Sequence, residues 1–302
     1  MTTRDLPARS TIDAVLSRAG VVRPRKAFRR RQPSAAPLVE AHAPNDVWSI
    51  DYKGWFRVGD GTRCDPLTIN DVFSRASLGC RAMVAPKLED VRRRLEGMFE
   101  QYGLPQAMLS DNGPPFGSTG IGRLSRLGVW LLRLGIRPLF IEPGRPDQNG
   151  KHERFHETLK AETASPPRAT IAAQQAAFTR FQVIYNEERP HEGLAMRVPA
   201  ELYDFSPRSM PRELPEHEYP TSSEVRRVRT DGSIKWAGEY VFVGEAMRGE
   251  LVGLAKTEDE HSHLHLGPVR LGVLHERSRT VVPIVEEAAE ASVTHVPGHA
   301  AG

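Results

Sequence analysis

The sequence predicts an α/β fold, a mixed sheet flanked by helices. A small all-β barrel follows it and a partial helical segment precedes it. Three observations carry this. Residues 46–163 give three strand-like runs, then helix, strand, helix, strand and helix, which is an α/β plan. Residues 222–284 break into short alternating strands separated by turns such as Asp231-Gly232, the pattern of a small antiparallel barrel. Residues 10–20, STIDAVLSRAG, set Ile12, Val15, Leu16 and Ala19 at helical spacing between a capping Ser10 or Thr11 and a stop at Gly20.

Each element has a local reason. VWSIDYKGWFRV, PLTINDVF and ASLGCRAMVA are rich in β-branched and aromatic residues, with turn residues at Gly59-Asp60-Gly61 and Ser74-Arg75. In KLEDVRRRLEGMFEQY, residues 87–102, Leu88, Val91, Leu95, Met98, Phe99 and Tyr102 share one helical face, and Gly103 ends the helix. A strand at 106–111, a Gly/Ser-rich loop at 113–122, a helix near 123–135, a strand at 137–142, a Gly/Pro loop at 143–150 and helices at 151–163 and 170–187 follow. The domain plan is a partial helix-turn-helix at 1–22, a basic, Pro-rich linker at 23–45 and a core at 46–205. A linker at 206–221, the β-barrel at 222–284 and a disordered tail at 285–302 complete it.

Composition bounds the function. Lys plus Arg is 41 against 38 Asp plus Glu, a net charge of +3, so the total does not announce a nucleic-acid partner. The distribution does more: residues 23–31, RPRKAFRRR, form a basic cluster fit for phosphate contacts through Arg25, Lys26, Arg29, Arg30 and Arg31. A solvated linker is the competing reading. Cys64 and Cys80 are expected too far apart to bridge if a hairpin turns at Ser74-Arg75, and they fit a reducing compartment. No apolar leader opens the chain, and the most apolar stretch, 127–136, is too short to span and contains Arg133. The expectation is a cytoplasmic, nucleoid-associated protein with no membrane and no small-molecule substrate.

Three acids stand where such a sheet gathers side chains. Asp51 interrupts an apolar first strand, Asp111 ends the fourth strand, and Glu153 lies in the first turns of a helix. Each alone reads as structural or solvated. Together, hard oxygen ligands suit Mg²⁺ or Mn²⁺, and two such ions clamp the attacking and leaving oxygens of a displacement at phosphorus. The chain offers no GxSxG, no Walker loop and no CxxC as a rival chemistry.

Four segments, VWSIDYKGWF, GLPQAMLSDNGPPF, GRPDQNGKHERFHETLKAE and YNEERPHEGLAMRVPAELY, resemble, in order, the integrase core of insertion-sequence transposases in the retroviral-integrase superfamily. The resemblance implies an RNase H-like fold and a DDE triad of Asp51, Asp111 and Glu153 holding two Mg²⁺ or Mn²⁺ ions. It implies cleavage of double-stranded DNA at element ends, transfer to target DNA, and a homo-multimer on the DNA. Forty-one residues separate Asp111 from Glu153, somewhat more than is usual in the superfamily; the excess is expected around 117–126. Lys160, seven residues after Glu153 on the same helix face, is implied to contact DNA near the cut, and Gln148 and Asn149 to close over it. His152 and His156 are in reach of phosphate but read first as solvated helix residues, and Trp48 and Trp55 read as core or sheet-face residues rather than as base-stacking platforms. His261, His263 and His265 read as the polar face of a strand, and the arginines of 225–229 as a second phosphate contact. The alternative function is a truncated or inactive DNA-binding remnant.

Overall fold

The computed structural model describes residues 15, 16, 18, 19, 40–85, 87–141, 150–257 and 261–284. The tail at 285–302, Gln148, Asn149, and the basic cluster of Arg25, Lys26, Arg29, Arg30 and Arg31 lie outside the described residues, as does most of 1–22.

The chain from residue 40 onward begins with a mixed sheet. Its strands are β1 (Val47–Tyr52), β2 (Phe56–Arg57), β3 (Arg63–Asp71), β4 (Ser77–Met83), β5 (Ala107–Ser110) and β6 (Arg137–Phe140). β1 lies antiparallel to β3 and parallel to β5, β5 is parallel to β6, and β4 and β2 pair antiparallel with β3. The meander β1–β3–β4 is local in sequence. β5 and β6 join after the crossover helices α1 (Leu88–Tyr102) and α2 (Arg126–Arg133), as parallel pairs require. Helices α3 (Gly150–Thr163) and α4 (Ile171–Val183) complete the core, and a π-helical turn at Ile184–Glu188 extends α4.

The apolar patterning places the core as expected. α1 buries Val91, Leu95, Met98 and Phe99, and Phe99 stands between Trp48 of β1 and Trp130 of α2, with ring centroids 5.8 and 5.7 Å away. On the other side, Phe155 and Leu159 of α3 join Phe178 and Phe181 of α4 against Cys64 and Cys80. Both cysteines are free and buried, and burial pushes the Cys64 thiol up to about 12.

The structure redraws two boundaries. Asn45, expected in the linker, is buried. Its side chain accepts from the Trp48 indole at 3.0 Å and from Tyr203 Oη at 2.9 Å, and donates to the Asp204 carbonyl at 2.8 Å. The expected linker at 206–221 is hydrogen-bonded to the core. Arg208 donates to the carbonyls of Pro105, Leu134 and Gly135, and Arg133 to those of Leu214 and Pro215. A polar, Pro-punctuated segment reads as a linker because its bonds are to distant backbone carbonyls, which leave no periodic trace.

The expected barrel resolves into two antiparallel pieces. A five-stranded sheet runs in the order β13 (Thr280–Pro283), β12 (Val269–His275), β11 (His261–Leu266), β10 (Leu251–Lys256) and β7 (Glu224–Arg227). A separate hairpin pairs β8 (Ser233–Trp236) with β9 (Glu239–Phe242). They share one apolar cluster, which also takes in Leu124, Val129 and Leu132 from the core. The second predicted domain therefore has no closed interior of its own. On β11 the alternation holds: Leu264 and Leu266 are fully buried, and His261, His263 and His265 are half-buried on the other face.

Gly103 shows how the 206–210 strap depends on backbone space. Its φ of +78° closes α1, and a Cβ there would lie 2.6 Å from the Ser206 carbonyl oxygen and 2.9 Å from that of Arg208. Gly103→Ala combines left-handed strain with overlap against backbone, so it should cost about 2–4 kcal/mol in a denaturant-unfolding experiment. An unchanged unfolding midpoint would contradict this packing.

Candidate active site

The parallel ladder between β1 and β5 pairs Val47 with Ala107, Trp48 with Met108 and Ser49 with Leu109. Continued by two residues, that register sets Asp51 level with Asp111 at the carboxyl ends of strands about 4.8 Å apart. Thr68 of β3 stands opposite Asp51, so Ser49, Asp51 and Thr68 share one face of the sheet.

Helix α3 covers that face through two imidazoles. The Thr68 hydroxyl donates to the Asp51 carbonyl at 3.1 Å, and with its one proton committed it accepts from the Nε2–H groups of His152 at 2.6 Å and His156 at 2.7 Å. His152 Nδ1 lies 2.9 Å from Ser49 Oγ, which also donates to the Asn70 carbonyl at 3.3 Å. The two histidines therefore clamp α3 across β1 and β3; they are not solvated. Burial, then the charge of Lys53, holds His156 down at about 3, and burial, then the neighbouring His156, holds His152 well below its usual range.

Glu153 follows His152, and Glu153, His156 and Lys160 form one stripe at i, i+3 and i+7. Since His156 touches the partner of Asp51, this stripe lies on the Asp51 side of the sheet. Glu153 and Lys160 are both exposed. The structure does not bring the third acid into a finished cage: among the described residues, no three His, Cys, Asp or Glu side chains meet closely enough to hold a metal ion. The segment leading into Glu153, 142–149, lies outside the described residues.

Asp111 is exposed at the head of a tight turn. Its carboxylate accepts from the Gly113 amide at 3.2 Å, and a Cβ on Gly113 would stand 3.3 Å from the carboxylate, which accounts for the Asn-Gly that follows Asp111. Asn112 donates to the Ile141 carbonyl at 2.5 Å and accepts from Arg123 at 3.4 Å. In the loop that follows, Gly117 bridges Leu124, and Ile121 and Leu124 pack into the C-terminal apolar cluster. This loop thus ties the Asp111 turn to the C-terminal sheet.

The donor set fits a hard cation. Both histidines near Asp51 are spent on hydroxyls and the cysteines are buried elsewhere, so the acids offer oxygen alone, the chemistry of Mg²⁺ or Mn²⁺.

Sequence reasoning missed Lys53. Burial, and then the charge of Lys160, lowers its pKa. The signal was its place two residues after Asp51 on a β-strand spacing. The arginines at 225–229 are already engaged: Arg226 pairs with Glu224, Arg227 donates to the Gly249 carbonyl at 2.7 Å, and Arg229 stacks 4.4 Å from the Tyr240 ring centroid.

A mixed sheet flanked by helices is the architecture of an integrase-type core. Residues 41–146 match the integrase core domain family, and residues 134–199 match a second family of the same description. The matches together span more than half of the chain and contain Asp51, Asp111 and Glu153. The chain is 29% identical over 183 residues to a 31.7 kDa protein of insertion element IS407 from Burkholderia multivorans, with 58% of this chain and 64% of that protein covered. It is 29% identical over 182 residues to a 39.2 kDa protein of insertion element IS476 from Xanthomonas euvesicatoria, with 60% of this chain and 51% of that protein covered. The chain thus spans under two thirds of the length of these relatives. Among solved structures, the simian T-cell lymphotropic virus intasome aligns at 18% identity and a TM-score of 0.47, covering 80% of this chain and 84% of the other. The HTLV-2 integrase catalytic core in complex with magnesium aligns at 14% identity and a TM-score of 0.43, covering 55% of this chain and 100% of the other. The chain belongs to the integrase core domain family and is similar to proteins of insertion elements. Among the described residues, no helix is long and apolar enough to cross a membrane.

Proposed function

We propose that the protein is a DDE-type, RNase H-like polynucleotidyl transferase that cuts double-stranded DNA at insertion-sequence ends and joins the freed 3′ end to target DNA. The observation that supports this is the β1–β5 register, which, continued two residues past the Ser49–Leu109 pair, would bring Asp51 level with Asp111 on the face covered by the Glu153 helix. Asp51, Asp111 and Glu153 are the catalytic and metal-holding residues. Two Mg²⁺ or Mn²⁺ ions held there would supply Lewis-acid stabilisation of the attacking and leaving oxygens. The residues around them position the DNA. Lys160 and Lys53 bind phosphate beside the cut, Gln148 and Asn149 close over it, and Arg25, Lys26, Arg29, Arg30 and Arg31 grip the backbone further out. The carboxylates are acceptors only, so a protonated or amidated acid loses both charge and ligand. Joining two ends requires a homo-multimer on the DNA.

The test is metal-dependent nicking of a duplex carrying the element's ends. Wild-type protein should nick in Mg²⁺ and stop on chelation. Asp111→Asn should bind the duplex as tightly but not nick it. One observation favours a second reading, a DNA-binding remnant: the three acids are not gathered into one group. Tight binding with no nicking in Mg²⁺ or Mn²⁺ would select it.

A further inference from the structure

The hairpin just beyond Asp51 carries an indole that packing does not explain. Trp55 precedes β2, and strand alternation turns the next residue inward: Phe56 packs against the cluster that contains Val58 and Cys64, while Trp55 is 55% exposed. The hairpin is held rigidly. Its tip donates from Gly59 to the Arg168 carbonyl and from Asp60 to the Ala169 carbonyl, each at 2.8 Å, and a Cβ on Gly59 would lie 3.0 Å from the Ala169 backbone. Trp55 is therefore presented to solvent by a pinned scaffold.

Its surroundings select the occupant. The guanidinium carbons of Arg57 and Arg63 lie 5.8 and 5.0 Å from the ring centroid. Arg63 is oriented by Asp65, whose Oδ2 accepts from its Nε at 3.1 Å and its Nη2 at 2.6 Å. Lys53 stands two residues before Trp55. The two guanidiniums at the ring disfavour an apolar protein segment and favour a polyanion. An aromatic face among cations is the arrangement that holds a nucleic-acid strand, with bases on the ring and phosphates on the charges. Inside a duplex the face of each base is covered by its neighbours, so only an unpaired base offers its own. Trp55 lies four residues from Asp51, at most about 14 Å of chain.

We infer that the Trp55 hairpin, with Arg57, Arg63 and Lys53, is a stacking platform for an unpaired DNA base next to the phosphate that is cut, so that the enzyme prefers ends that are frayed. This rests on the proposed function for its placement beside the cut, but its test reads binding and needs no cleavage. Full-length wild-type, Trp55→Ala and Trp55→Phe proteins are compared without metal on two duplexes, one fully paired and one with three mismatched pairs at the terminus. Wild type should bind the frayed duplex more tightly than the paired one. Trp55→Ala should weaken frayed-end binding about tenfold or more and leave paired-end binding within about twofold, and Trp55→Phe should keep most of the affinity. Matching thermal melts of the three proteins remove misfolding as a cause. Equal binding of both duplexes by wild type, or equal losses on both in Trp55→Ala, would overturn the platform. So would loss of self-association in Trp55→Ala with DNA binding intact, which would assign the face to a second copy of the chain. Trp55-dependent preference for frayed ends without nicking would leave the platform standing and remove the catalytic reading.

Discussion

Asp51→Asn is expected to lower DNA nicking by about a thousandfold or more, an increase of roughly 4 kcal/mol in the barrier. The substitution keeps size and shape, so β1 should keep its ladder to β3 and β5. What changes is charge: an amide cannot replace a carboxylate as a ligand for a divalent ion, and it offers one acceptor oxygen instead of two. The proposed level placement of Asp51 and Asp111 predicts the same loss for either substitution, without additivity, because the two would share one ion. Glu153→Gln separates two pictures. If the exposed Glu153 swings in when DNA and metal arrive, its loss should match that of Asp51. If it stays exposed, nicking should fall by less than about tenfold. Single-turnover nicking of a labelled duplex, with melting temperature as the folding control, decides between them.

His152→Ala is expected to cost about 3–5 kcal/mol of stability, the largest folding effect foreseen for a single side chain here. The imidazole is 2% exposed, and its loss leaves a cavity between α3 and the sheet. It also removes both of its hydrogen bonds, to Ser49 and to Thr68. His156→Gln should cost only about 1 kcal/mol, since an amide N–H still reaches Thr68. The same clamp makes the fold acid-sensitive. His156 titrates at about 3 when folded, below its usual 6.5, so the unfolded chain takes its proton first as pH falls. The stability from the neutral clamp is full above about pH 6.5 and is lost progressively between there and pH 3, by up to about 1.4 kcal/mol per pH unit for each such histidine. Chemical unfolding at pH 7.5 and 5 measures this. A flat profile, or one unchanged in His156→Gln, would exclude it.

Much of the core was legible because its signals are periodic. The spacing of Val91, Leu95, Met98 and Phe99 places α1, and Gly103 ends it where expected. The hairpin about Ser74-Arg75 forms as expected and sets Cys80 against Thr68, four residues along β3 from Cys64. The misreadings share a cause. His152, His156, Asn45 and Arg208 are polar residues whose partners lie tens of residues away, and a polar residue on a helix or in a Pro-rich stretch looks solvated until those partners are known. Trp55 erred the other way. An aromatic in a strand-rich run reads as buried, and only the alternation set by Phe56 turns it out.

The sequence alone determined the order of the core elements and the family motifs. These are local, since side-chain type and periodicity act within a few residues. Only the tertiary structure decided which residues face one another. The parallel register pairs Ser49 with Leu109, two residues short of Asp51 and Asp111, the Ser49–His152–Thr68 contacts seat the Glu153 helix, and the loop after Asp111 packs on the C-terminal sheet instead of ending in solvent. Each of those contacts spans tens of residues or more. Long-range pairing follows from the whole packed core and has no signature in any one segment.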